Sequence, residues 1–109
     1  MVRTLKFIVD KQIIKQDPNC DFSGLVPGTD GYLQAEFSFS PEWNGCSKAV
    51  SFYTAMGNEC PPRLLDDGKT CMIPTEALKG RAFKIKIYGK MKHYVITTDK
   101  IVVLQNGGR

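Results

Sequence analysis

The residues able to do chemistry are few, and they are scattered along the chain. The single histidine, His93, stands between Lys92 and Tyr94. Nucleophilic catalysis needs a base beside its nucleophile, and this histidine lies in a turn-to-strand sequence of the kind found on surfaces. A Cys–His pair would require one of the thiols to fold beside it. The cysteines Cys20, Cys46, Cys60 and Cys71 are widely and irregularly spaced, with no Cys-x-x-Cys pair. Zinc sites usually take two ligands from one tight turn, which preorganises half of the tetrahedron. Reduced thiols are expected, Cys71 as a small buried residue of an apolar strand and Cys20 and Cys46 as exposed loop residues. Asp66-Asp67 pairs two carboxylates, but Gly68 follows and turn chemistry accounts for them. Asp17, Asn19 and Asp21 alternate as the ligands of a calcium loop do, yet no bidentate glutamate follows at the required place. Gly24, Gly28 and Gly31 do not lead a strand into a helix, as a phosphate loop must. The expectation is a chain that is not an enzyme and takes no cofactor and no metal.

Charge gives a second kind of site. Lys79, Arg81, Lys84, Lys86, Lys90, Lys92 and Lys100 fall in one segment whose only acid is Asp99, within a chain of net charge +4. Such asymmetry suits an acidic partner, protein or nucleic acid, although lysines also guard exposed strands with no partner at all. The candidate partner-binding residues are Lys84, Lys86, Tyr88, Lys90, Lys92, His93 and Tyr94. Small β-barrels bind single strands on aromatic platforms beside basic grooves, and Tyr88 and Tyr94 with these lysines have the composition for it. The basic count is modest, and the other aromatics occupy core-facing positions, so nucleic acid is not the expected partner.

The elements that must carry these residues are strands. A chain of 109 residues makes one domain, large enough for a hydrophobic core without cross-links. Its 42% hydrophobic and 24% charged residues are ordinary for a globular chain. No apolar window is long enough for a membrane span. The opening MVRTLKFIVD lacks the apolar run of a secretion signal, so a cytoplasmic origin is expected.

The stretch Tyr32 to Tyr53 organises the rest. Leu33, Ala35, Phe37 and Phe39 alternate with Gln34, Glu36, Ser38 and Ser40, the period of a half-buried strand. Pro41 ends the ladder, Asn44-Gly45 supplies a turn, and Lys48 to Tyr53 leads back, with Val50 and Phe52 on one face. The reading is two antiparallel strands joined by a turn, with Trp43 closing one end of a core. Leu5, Phe7 and Val9 mark a first strand, extended after a bend by Ile13-Ile14. Gln16 to Gly31 reads as a loop, either functional or a plain connector, with a short strand at Leu25-Val26. LLDDGKTCMIP reads as a hairpin, Leu64-Leu65 against Thr70 to Ile73. Pro74 to Leu78 suits one helical turn stopped by Gly80. Ala82 to Tyr88 is a strand with Phe83, Ile85 and Ile87 facing inward. Gly89 to Lys92 is a turn, and His93 to Thr98 and Lys100 to Leu104 complete the set. The domain runs over residues 1–104, with 105–109 as a flexible tail. About seven or eight strands with turns between them imply an antiparallel sandwich or small barrel.

From Phe37 onward the motifs resemble those of a known family. They comprise F-x-F-S (Phe37, Phe39, Ser40), E-W-x-G (Glu42, Trp43, Gly45) and K-x-A/V-x-F (Lys48, Val50, Phe52). Then follow D-x-x-x-C-x-I-P (Asp67, Cys71, Ile73, Pro74), Gly89, a threonine-bearing strand (Thr97, Thr98) and Gly107. In this order they resemble the small β domains of tail, baseplate and fibre proteins of phages infecting Gram-positive bacteria, among them the amino-terminal domain of upper baseplate proteins and head-fibre proteins. The resemblance implies an immunoglobulin-like β-sandwich with a structural role in a virion, made in the host cytoplasm and assembled there. It implies other virion proteins as partners and a homo-oligomer, a trimer suiting a fibre or baseplate. The matching positions are core and turn residues, so no binding residue is carried over. Two other readings stand beside it: a small phage-encoded inhibitor that binds a host defence protein through the basic Lys79–Lys100 face, and a single-strand-binding barrel.

Overall fold

A computed structural model describes residues 1–65 and 67–106. Among these described residues nine strands form two packed sheets. The first has the order β2 (Ile13–Gln16), β1 (Arg3–Asp10), β3 (Leu33–Phe39), β6 (Thr70–Met72). The second has the order β5 (Arg63–Leu64), β4 (Ser47–Tyr53), β7 (Ala82–Lys90). The free side of β7 is shared by β8 (Val95–Thr97) at one end and β9 (Ile101–Leu104) at the other. Two short 3-10 turns, Pro41–Trp43 and Thr75–Leu78, complete the elements. The architecture is the expected all-β sandwich.

The core follows from period two. Leu5, Phe7 and Val9 of β1 and Leu33, Ala35 and Phe37 of β3 turn one way, and Val50, Phe52, Phe83, Ile85 and Ile87 of the second sheet meet them. Phe7 stacks on Phe37 with centroids 5.5 Å apart, and Phe39 packs at 5.2 Å from Trp43. Aromatic pairs at these separations add to what their buried area contributes.

The pairing of strands departs from a purely antiparallel scheme. β1 and β3 run parallel, from Arg3 beside Leu33 to Val9 beside Phe39, while the other pairings are antiparallel. Parallel neighbours need a crossover of about a dozen residues or more. The segment between β2 and β3 supplies it and carries the chain back to the start of β1. No strand forms at Leu25-Val26; Leu25 is buried, and Arg3 holds the loop by donating to the carbonyls of Asp21 and Ser23 at 2.8 Å each.

Two expected hairpins are corrected. β3 and β4 lie in different sheets, so the Tyr32–Tyr53 stretch is an arch across the end of the sandwich. The reason is Trp43. The 3-10 turn opened by Pro41 sends its indole between the sheets, fully buried, where Nε1–H donates to the Lys11 carbonyl at 2.8 Å. Likewise β5 joins β4 and β6 joins β3. The Asp67-Gly68 turn does form, with Gly68 at φ +80° and its N–H on the Leu65 carbonyl at 2.9 Å. It reverses the chain but does not choose the neighbour, and each short strand takes an open sheet edge.

Smaller differences have local causes. β7 continues through Gly89 to Lys90, so the turn shifts to Met91–Tyr94, closed by the Met91 N–H on the Tyr94 carbonyl at 2.9 Å. Cys46 is buried, and Cys71 is only partly so; Cys20, Cys46 and Cys60 are thiols. Gln105, assigned to the tail by composition, is fully buried, and its N–H reaches the Arg81 carbonyl at 2.6 Å. Gly107, Gly108 and Arg109 of that tail lie outside the described residues.

Candidate protein-docking face

Alternation along β7 puts Phe83, Ile85 and Ile87 in the core and sends Lys84, Lys86, Tyr88 and Lys90 to the outer face of the second sheet. The register assigns their neighbours. Ala49 lies beside Tyr88, Ser51 beside Lys86 and Tyr53 beside Lys84 on β4. On the other side Thr97 lies beside Tyr88, Val95 beside Lys90, Val102 beside Lys84 and Leu104 beside Ala82. Leu64 of β5 completes the face next to Ala49. Paired residues share a face, so a row of lysines runs down the middle of a surface whose flanks are apolar.

Those flanks are open to solvent. Leu64 is 70% exposed, Val95 64%, Leu104 58% and Val102 47%. A groove of about 310 Å³ is lined by Ala49, Leu64, Tyr88, Lys90 and Val95, among others. The small Ala49 between two large apolar neighbours is what leaves this space.

The middle of the face is tied down. Tyr53 OH lies 3.3 Å from Tyr88 OH, and the Ser51 hydroxyl donates to Glu59 Oε2 at 2.7 Å. Lys100 Nζ sits 4.1 Å from the Tyr53 ring centroid and Lys86 Nζ 5.5 Å from that of Tyr88. Cations over these ring faces are attracted by the quadrupole. Burial, then the bond to Tyr88, pushes the Tyr53 hydroxyl well above its ordinary value. Tyr53 therefore stays neutral, and the lysines carry the positive charge of the face.

The seven candidate residues divide. Lys84, Lys86, Tyr88 and Lys90 share this face, whereas Lys92, His93 and Tyr94 occupy the β7–β8 turn at its end, all exposed. Tyr94 is drawn away from Tyr88, since its hydroxyl donates to the Glu42 carbonyl. Sequence reasoning missed Leu64, Val95, Val102 and Leu104. Runs of apolar residues on both faces of β8 and β9 gave no phase from which to tell inside from outside.

The groups able to do chemistry elsewhere are used structurally. Asp17 Oδ1 accepts from the Asn19 N–H at 2.9 Å, and Asp21 Oδ1 accepts from Ser23 N–H and hydroxyl at 2.8 and 2.6 Å. The Ser23 hydroxyl is the main cause that holds the Asp21 carboxyl below its usual range. Burial pushes the Cys60 thiol up, against nucleophilicity. Among the described residues no three His, Cys, Asp or Glu side chains gather as a metal site would require, and no helix is long and apolar enough to cross a membrane. Comparison with family models, curated proteins and solved structures finds no match to this chain.

Proposed function

We propose that this chain is a non-enzymatic assembly protein of a bacteriophage particle, made in the host cytoplasm and built into the virion through contacts with other virion proteins. The observation that carries the docking part is the outer face of the second sheet, where exposed Leu64, Val95, Val102 and Leu104 flank Lys84, Lys86 and Lys90. Solvent-exposed apolar surface of this kind marks contact sites, and lysines among apolar anchors favour an acidic partner. The phage part rests on the order of motifs from Phe37 to Gly107.

Mass spectrometry of purified particles tests it. The chain is expected at a fixed ratio to the other particle proteins, and its absence from intact particles overturns the reading. A stacking site for nucleic acid is less well supported. The Tyr88 ring is only partly exposed and lies under Lys86, so a base would have to displace that cation.

A further inference from the structure

The sheet edges of this molecule are unequally protected. β5, at one end of the second sheet, is two residues long and follows Pro61-Pro62. β2, at one end of the first, has the Ile14 N–H occupied by Asp99 Oδ1 at 3.1 Å and the neighbouring Gln12 carbonyl occupied by the Asp99 N–H at 3.0 Å. β6 has three residues, with Pro74 close behind. Short strands, prolines and covered edges are the usual defences against pairing with another chain. β9 is also short, at four residues, but Ile101–Leu104 contains no charge and no proline, and among the described residues no other segment bonds its outer edge.

The register shows which backbone groups β9 leaves open. The Gln105 N–H bonds the Arg81 carbonyl, and Leu104 lies opposite Ala82, so Gln105 and Arg81 form a hydrogen-bonded pair. Antiparallel ladders alternate bonded and non-bonded pairs. Phe83–Val103 and Ile85–Ile101 are then the next bonded pairs, and the N–H and C=O of Val102 and Leu104 point away from β7.

We propose that β9 pairs antiparallel with β9 of a second copy, about a two-fold axis at Val103, with Val102 opposite Leu104 of that copy. The register is selected by two requirements. Side chains must keep their face, and a shift of one residue would set exposed Val102 against buried Val103. Moving the axis to Val102 would set the Lys100 ammonium against Leu104, whereas the chosen register sets it against Asn106. Like charges stay apart in any register of this pairing. The two copies of Lys84 would stand three strand spacings from each other, about 14 Å, beyond the screening length of about 8 Å at physiological salt. The pairing turns two separate second sheets into one, with exposed Val102 and Leu104 in apolar contact across the junction. It uses the backbone of the sheet edge, with Val102 and Leu104 of the outer face beside the junction, and it stands whether or not the chain is a particle protein.

Sedimentation velocity of the intact chain, from about 5 to 500 µM, spans the range in which so small an interface associates. A monomer–dimer equilibrium is expected, and a monomer throughout overturns the proposal. Val102→Lys and Leu104→Lys alter exposed side chains and are expected to raise the dimer dissociation constant about tenfold or more, by placing an ammonium among apolar cross-strand neighbours. A dimer unaffected by either sinks the proposal. Amide exchange on the unaltered chain gives a readout that needs no variant. The Val102 and Leu104 amides should become protected as concentration rises, while Ile101 and Val103 are protected already. Concentration-dependent protection confined to any other strand overturns the assignment.

Discussion

Gly89 lies directly against the Trp43 indole: a Cβ built on it would stand 2.8 Å from both Cε3 and Cζ3 of the ring. A glycine late in a strand usually weakens it. Here its missing side chain lets the backbone of β7 meet the buried indole. Gly89→Ala is expected to destabilise the fold by about 1–3 kcal/mol, the usual cost of overpacking a close contact. Urea unfolding measures it, and a loss under about 0.5 kcal/mol, the range of an ordinary surface change, would show that the indole has room to move.

Trp43 itself carries both burial and a hydrogen bond. It is fully buried, packs on Phe39 and donates to the Lys11 carbonyl. Trp43→Ala should cost about 3–5 kcal/mol, as large aromatic truncations do. Trp43→Phe should cost less, because a ring remains, but the orphaned Lys11 carbonyl adds about 1 kcal/mol or more if water cannot reach it. Equal losses for the two variants in denaturant melts would mean that the bond both remove, from Nε1–H to the Lys11 carbonyl, dominates and that the retained phenyl ring contributes nothing.

Lys11 is the one non-glycine residue with positive φ among the described residues, at 57°. It and Gln12 form the two-residue link between Asp10 and Ile13 of the β1–β2 hairpin. Positive φ at the first of two turn positions is where hairpins favour glycine, and other residues there cost about 1–2 kcal/mol. Lys11→Gly keeps the backbone bonds to Ser40 Oγ and Trp43 Nε1. It should therefore raise stability, by up to about 1 kcal/mol after the entropy of glycine is counted. A lower thermal midpoint would show that the lysine side chain contributes more than its backbone strain costs.

How far the sequence revealed this molecule differs from strand to strand. β3 and β7 were legible because each has one face in the core, so Leu33, Ala35, Phe37 and Phe83, Ile85, Ile87 fall on alternate positions. The partners of β3 were not legible. Adjacency suggests β4, but the insertion of Trp43 between the sheets sends β4 to the opposite layer, and a parallel neighbour in β1 arises only through a long crossover. Alternation sets Ser51 and Tyr53 opposite Val50 and Phe52, yet they too are buried, because Glu59, Tyr88 and Lys100 cover them. Half of the candidate face, the lysines of β7, was visible for the same reason as the core. The apolar half comes from three other strands, and only the register brings them together.

Asp67 makes one pH dependence specific. Its carboxylate accepts from the Thr70 hydroxyl, from the Thr70 N–H at 2.7 Å and from the Lys69 N–H at 2.9 Å. These bonds, the Thr70 hydroxyl first, lower its pKa from 3.8 to about 2. A carboxyl whose folded value is depressed binds fewer protons folded than unfolded. Its stabilisation is therefore complete above the unfolded value and disappears as pH falls from about 4 towards 2. Asp67→Asn should flatten the acid limb of a stability–pH curve in that window and leave the curve near neutrality parallel to the wild type. An unchanged acid limb would assign the acid sensitivity to other carboxylates.

The docking face separates charge from apolar contact, and two variants read them independently. Lys84→Glu with Lys86→Glu reverses the central charges, leaving Leu64 and Val95 as they are. Against an acidic partner this should slow association and invert its salt dependence, since complementary charges steer the encounter. Leu64→Ala removes an exposed anchor beside the Ala49 groove. It should speed dissociation by an amount independent of salt, as loss of a contact residue does. None of the three residues lies in the core, so thermal midpoints should move by no more than an ordinary surface change does. Incorporation into particles, or binding to an isolated particle protein at two salt concentrations, distinguishes the outcomes. If charge reversal leaves binding intact while Leu64→Ala abolishes it, the partner is apolar rather than acidic, and the lysines only keep the exposed sheet in solution.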